Sequence, residues 1–209
     1  MEHYRLCLRS GLKISGLNAE VMPSQWEYQV GPCEGIAAGD HMTMSRWIYQ
    51  RIAEARGMSI SYEPKPEKGD WNGSGCHTNY SVKAHRVDGG LEAIHQSVAR
   101  MEKTCADDIK FYGHNNHERL TGKHETASMD VFTSGVGTRH TSIRIGNDTN
   151  KEGKGYFEDR RPGANIDPYL VSARIFCSAE GLDSEAAKIS YQPTLGCDAY
   201  VQCLPSTRP

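Results

Sequence analysis

The chain has 209 residues, with 24 basic and 26 acidic side chains and a formal net charge of −2. That length can bury roughly 70 % of the unfolded surface around one core, and the near-neutral balance gives no general attraction to nucleic acid or anionic lipid. Seven cysteines, at 7, 33, 76, 105, 177, 197 and 203, are odd in number and form no C-x-x-C pair, which argues against a zinc ribbon or redox dithiol and for a reducing compartment.

The N-terminus, MEHYRLCLRSG, has an acid at position 2 and no long apolar run, so it does not read as a secretory signal. No later segment approaches a membrane span. Without a signal, the sequons at Asn72, Asn79 and Asn147 read as chance. In "QWEYQV", Trp26, Tyr28 and Val30 alternate with Gln25, Glu27 and Gln29, which predicts a half-buried strand. Met44, Trp47, Ile48, Ile52 and Ala55 recur at helical spacing and predict a core-facing helix between Asp40 and Gly57. Leu91, Ile94, Val98 and Met101 predict a second helix after Asp88. "SIRIG" reads as a strand with Ile143 and Ile145 on one face and Arg144 on the other. In "GKGYFEDRRPGAN", a strand would put Tyr156, Glu158 and Arg160 on one face and Phe157, Asp159 and Arg161 on the other. A salt-bridged surface strand has the same pattern. The fold class is α+β, an antiparallel sheet covered by helices on one side and open on the other to something polar.

Several groups fit a common chemistry. Glu20 and Glu27, seven apart across a proline, suit adjacent strands converging on a hard cation, and oxygen ligands with one imidazole suit Mg²⁺ or Mn²⁺. His77 is the candidate imidazole, in "GDWNGSGCHTN", where glycines permit close backbone approach and Trp71 can wall a ligand. A hydrogen-bonded structural histidine is the alternative. Glu125 lies in a polar loop, "LTGKHET", where a helix-start acid is the competing reading. Arg119, Arg139, Arg144, Arg160 and Arg161 could surround a transferring phosphoryl group. No P-loop, protein-kinase glycine loop or G-x-S-x-G elbow occurs, so a nucleotide would be held by arginines and metals.

With these residues in view, "GLNAEVMPSQWEYQVGPCEG", "KPEKGDWNGSGCHTNYS", "RLTGKHETAS" and "GKGYFEDRRPGANIDPY" closely resemble glutamine synthetase of the eukaryotic type, colinearly from about Glu2 to Tyr169. The resemblance implies a curved antiparallel sheet lining a funnel-shaped site, and ATP-dependent formation of glutamine from glutamate and ammonia through γ-glutamyl phosphate. It implies Mg²⁺ or Mn²⁺ held by Glu20 and Glu27 on the glutamate side and by His77 and Glu158 on the ATP side. Asn79, Ser81, Arg139, Arg144 and Tyr156 would bind ATP. Asp70, Trp71, Arg119, Arg139 and Arg160 would bind substrate. Glu125, on a mobile flap, would take a proton from ammonium, with Arg139 and Arg160 as its catalytic companions.

The same resemblance implies a cytoplasmic homo-oligomer acting on small molecules, with no nucleic-acid or membrane partner. The family's N-terminal β-grasp domain and a carboxylate-x-carboxylate strand have no counterpart here, so Met1 reads as an internal start and each metal site as short of a carboxylate. Thr43 stands where the family usually has tryptophan, and Asn147 where arginine is common. The expected organisation is a partial catalytic domain over 1–180 and an unmatched, loop-rich tail over 181–209. A non-catalytic relative serving a structural or interaction role, and a ligase for another amine, are the alternatives.

Overall fold

A computed structural model describes residues 1–182. Helix α1 (Glu2–Arg9) leads into a hairpin of β1 (Ile14–Ala19) and β2 (Trp26–Val30), followed by α2 (Ala37–Ala55). Then come β3 (Thr78–Tyr80), α3 (Gly90–Asp108), β4 (Ser134–Val136), β5 (Ile143–Ile145), the short α4 (Asn147–Glu152), β6 (Phe157–Asp159) and α5 (Pro168–Glu180). The class is α+β, as expected.

The expected antiparallel sheet needs correction. Among the described residues there are two sheets, the β1–β2 hairpin and a four-stranded sheet in the order β3-β6-β5-β4. In the second, β4 and β5 run parallel while the other neighbours are antiparallel. Ile143, Ile145 and Phe157 face Ile94, Val98 and Met101 of α3 and Val171, Ile175 and Ala179 of α5, forming the main core. Each such aliphatic or aromatic side chain is worth about 1.5–3 kcal/mol on full burial. A second cluster of Cys7, Leu12, Ile14 and Ile48 joins α1, the hairpin and α2.

Helix α3 follows its apolar spacing, and α2 follows it only in part, through Ile48 and Ile52. It begins three residues before Asp40, and Met44 and Trp47 are exposed, at 48 % and 59 %. The buried line is instead Gly39, Ser45, Ile48 and Ala53. Gly39 lies under the ring of Tyr169, where a Cβ would come within 2.3 Å of a ring carbon. Ser45 meets the His3 ring, 3.1 Å from Oγ to Nε2. The inward face thus combines Gly39 and Ser45 with Ile48 and Ile52, while Met44 and Trp47 face out.

After β6 the chain forms a strap over 160–166 that fastens the site loops. Gly75 bridges Gly163, Cys76 N–H donates to Pro162 O at 2.9 Å, and Ala164 N–H donates to Ser74 O at 3.0 Å. Arg46 of α2 donates to the carbonyls of Ile166 and Ala164 at 2.7 and 2.8 Å. The Gln25 side chain ties the hairpin to the same loop through Gly73 O and Ser74 Oγ. The expected tail beyond Leu182 lies outside the described residues.

Candidate active site

Cross-strand register places Asn79, Glu158, Arg144 and Gly135 in one row across the sheet. Alternation puts that row on the face opposite Phe157 and Ile145. Glu158 is only 7 % exposed and is the focus of the row. His77 Nδ1 lies 3.1 Å from its Oε1, Arg144 Nε 2.5 Å from its Oε2, and Arg160 Nη1 3.2 Å from Oε1. Burial alone would raise the Glu158 carboxyl, but His77, Arg160 and Arg144 reverse that and lower it to about 2 from 4.5. Desolvation lowers the partly exposed His77 imidazole below its ordinary range despite Glu158, and Arg160 and Arg119 push the same way.

The strand is shorter than the 156–161 expected, covering Phe157–Asp159, and the expected split between the two faces holds for Glu158 and Arg160 against Asp159 and Arg161. Arg160 turns toward Glu158, whereas Asp159 is fully buried on the core side, bound by Arg161 through Nε and Nη2 at 2.9 and 2.7 Å. Tyr112 donates its hydroxyl to the same carboxylate at 3.0 Å. Arg161, expected among the phosphate-facing arginines, is therefore a core residue, 2 % exposed, stacked on Tyr112 and Phe132.

The flap candidate Glu125 is exposed, in a left-handed backbone conformation shared with His124, at φ 60 and 52. Such conformations in non-glycine residues cost of order 1–3 kcal/mol each and need tethers. Arg139 Nη1 holds the Glu125 carboxylate at 3.0 Å, Arg160 Nη2 donates to its carbonyl at 3.1 Å, and His124 Nε2 lies 3.2 Å from Asp70 Oδ1. Next to this loop is a cavity of about 350 Å³ lined by Lys65, Asp70, Gly73, Arg119, Lys123 and His124 among others. Its size suits a small ligand, and its lining sets Lys65, Arg119 and Lys123 beside Asp70 and Glu118.

Arg119 is 4 % exposed, and most of its donors go to protein rather than to the cavity. Nε donates to Asn116 Oδ1 at 3.0 Å, and Nη2 reaches the carbonyls of Arg160, Arg161 and Pro162. Trp71 borders the loop, 39 % exposed, its carbonyl accepting from Lys65 Nζ. Ser81 Oγ donates to Gly155 O at 2.7 Å, and Tyr156 is 48 % exposed at the β6 entrance. Asn79, Ser81 and Tyr156 therefore share the β3–β6 edge, but no side-chain hydrogen bond joins them to the Glu158 cluster among the described residues.

Among the described residues no group of three or more His, Cys, Asp or Glu converges in metal-ligating geometry. There are two pairs. His77 and Glu158 supply one nitrogen and one carboxylate. Glu20 has its carboxyl raised by burial and then by the adjacent Glu27 carboxylate. Asn116 and Lys65 escaped sequence reasoning, since each sits in an ordinary polar loop.

Comparison with known proteins matches the glutamine synthetase catalytic domain over residues 2–202. That range runs into the tail where no motif was recognised. Glutamine synthetase of Candida glabrata is 59 % identical over 175 residues, covering 84 % of this chain and 47 % of the relative. The Saccharomyces cerevisiae enzyme gives the same identity and coverage. A cytosolic isozyme of Pinus sylvestris is 54 % identical over 173 residues, 83 % of this chain and 48 % of its own length. The chain thus spans about half the length of these relatives. With the catalytic-domain model matched over nearly the whole chain and relatives at 54–59 % identity, the chain belongs to the glutamine synthetase family.

Proposed function

We propose that this chain contributes the catalytic part of a glutamate–ammonia ligase that makes L-glutamine from L-glutamate, ammonia and ATP. The observation that carries the reading is Glu158, buried and ionised among His77, Arg144 and Arg160 beside the Arg119 cavity. In this reading the γ-carboxylate oxygen of glutamate attacks the terminal phosphorus of ATP, ADP leaves, and γ-glutamyl phosphate forms. Ammonia then attacks the acyl carbon and expels phosphate.

Lys65, Asp70, Trp71 and Arg119 orient glutamate in the cavity. Asn79, Ser81 and Tyr156 line the nucleotide edge of the sheet. Arg139, Arg144 and Arg160 offset the charge of the moving phosphoryl group, since phosphoryl transfer needs positioning and cations more than covalent help. Glu125 accepts the proton from ammonium and shields the acyl phosphate from water. His77 with Glu158, and Glu20 with Glu27, offer the oxygen and nitrogen donors that suit Mg²⁺ or Mn²⁺, with the remaining ligands coming from substrates, water or further residues. Bound there, the ions would neutralise phosphate and carboxylate charge.

The funnel form of the sheet, homo-oligomeric assembly and a cytoplasmic setting accompany this reading. Two of the relatives carry names of cytosolic isozymes. No helix among the described residues is long and apolar enough to cross a membrane. The test is γ-glutamyl hydroxamate formation from glutamate, hydroxylamine and Mg²⁺-ATP, by the chain alone and by the chain joined to the complementary half of a yeast relative. The reading predicts turnover of roughly 1–10³ per second in the joined protein and almost none in the chain alone. A folded joined protein without product would contradict it.

A further inference from the structure

Arg119 is a buried cation without a carboxylate partner. Among the described residues no ion pair is formed by it, and its neighbours are a side-chain amide and three backbone carbonyls. Burial, with Arg160 nearby, lowers its guanidinium to about 10 from 12.5. An uncompensated buried charge is costly, so the position favours an incoming anion. Only Nη1 has no protein hydrogen bond among the described residues, because Nε and Nη2 are occupied. Its surroundings are kept open by Gly75, where a Cβ would lie 2.8 Å from Nη1 and 3.1 Å from His77 Nε2.

The part that sets this orientation is Asn116, 2 % exposed. Its Oδ1 accepts from Arg119 Nε at 3.0 Å, while its Nδ2 donates to Tyr112 O at 2.9 Å and Arg161 O at 2.7 Å. The two donor bonds fix which way the amide faces, since its nitrogen meets two carbonyls and its oxygen must then face the guanidinium. A planar guanidinium held at Nε cannot turn about its own axis without breaking that bond. Tyr112, whose carbonyl Asn116 holds, also bonds Asp159 on the core side of β6. One amide therefore links the cavity arginine to the strand that carries Glu158.

We propose that Asn116 is a positioning residue, which holds the Arg119 guanidinium so that Nη1 is presented to the cavity for a carboxylate of the substrate. The inference rests on the reading of that cavity as a glutamate site. It predicts a division of labour that general structural support would not produce. Replacing Asn116 by Ala removes the acceptor and both donors. Replacing it by Asp keeps the acceptor for Arg119 Nε but sets an oxygen against two carbonyls, so the fold loosens while the guanidinium stays oriented.

The experiment has two arms on the 209-residue chain: the arginine side-chain ¹⁵N–¹H spectrum, with Arg119 assigned by substitution, and L-glutamate binding by calorimetry, each compared with the thermal midpoint. In the unmodified chain Arg119 Nε–H should be resolved and protected from exchange. Asn116→Ala should lose that protection and weaken glutamate at least tenfold. Asn116→Asp should keep the protected signal even if its midpoint is as low as that of the Ala variant, while its carboxylate, set against Arg119 Nε, should weaken glutamate binding relative to the natural chain. If Asn116→Ala leaves the Nε–H signal protected and affinity within twofold, the proposal is wrong. It is equally wrong if both variants lose protection in proportion to their midpoints. Should the Ala variant fail to fold, the Asp variant decides by the same signal. Absence of glutamate binding by the unmodified chain would count against the glutamate reading of the cavity, while the spectrum would still decide whether Asn116 orients Arg119.

Discussion

Glu158 meets an imidazole and two guanidiniums, whereas Asp159, one position on, meets Arg161 and Tyr112 across the strand. The alternation was readable in "YFEDRR", because period 2 needs only a strand. The burial of Asp159 was not. Charged residues in a row look the same on a surface strand, and the partner Tyr112 is 47 residues away. Asp159→Asn should therefore cost about 2–3 kcal/mol, since it removes the carboxylate that Arg161 bonds twice and leaves only Asp108, 4.0 Å away, as its buried anion. Urea unfolding checks this, and a loss under 1 kcal/mol, the usual worth of an exposed pair, would contradict it. At Glu125 the expectation is functional. In the joined protein, Glu125→Ala should lower ammonia-dependent product formation at least a hundredfold, the lower range for a general base, with ATP affinity nearly unchanged. Lost ATP affinity with normal turnover at saturating ATP would remove Glu125 from the flap role.

At the scale of elements, α3 was legible and α2 only in part. Ile94, Val98 and Met101 of α3 are all buried, as their spacing requires. In α2 the inward face is chosen by Tyr169, His3 and the hairpin, and it is filled by Gly39 and Ser45, which carry no hydrophobic signal. The direction of β4 against β5 was equally unreadable, because three-residue strands do not encode their partners. His85, between β3 and α3, gives this region a pH response. Its ring is fully buried, with Nε2 3.1 Å from Ser97 Oγ and with Tyr80 and Phe157 beside it. Burial lowers its value from 6.5, opposed by Glu180 and aided by Arg100 and Arg86. The unfolded chain then takes the proton first, so stability is full above about pH 6.5 and falls as pH drops toward the folded value. His3 acts in the same direction. Urea midpoints at pH 7.5, 6.5 and 5.5 should fall for the natural chain and fall less steeply for His85→Gln. Parallel profiles would show that His85 does not carry the effect.

At the scale of the whole molecule, four colinear motifs make the family legible in the sequence alone, and the catalytic-domain match and the yeast relatives agree with them. How the motifs are fastened to one another is a different matter. Arg119 and Arg46 hold the 160–166 strap almost wholly through backbone carbonyls, which leave no mark in a sequence. The strap in turn sets the 73–77 loop against β6, which brings His77 to Glu158. In this arrangement β6 turns Glu158 to the proposed ligand face and Asp159 to the core. Calorimetric titration of Mn²⁺, with and without ATP, against the natural chain, Glu158→Gln, Asp159→Asn and Arg160→Gln distinguishes the two faces. Glu158→Gln should bind Mn²⁺ and Mn²⁺-ATP at least tenfold more weakly, and the other two variants, while they remain folded, should keep Mn²⁺ affinity within about threefold of the natural chain. Equal losses in folded Glu158→Gln and Asp159→Asn would contradict that division.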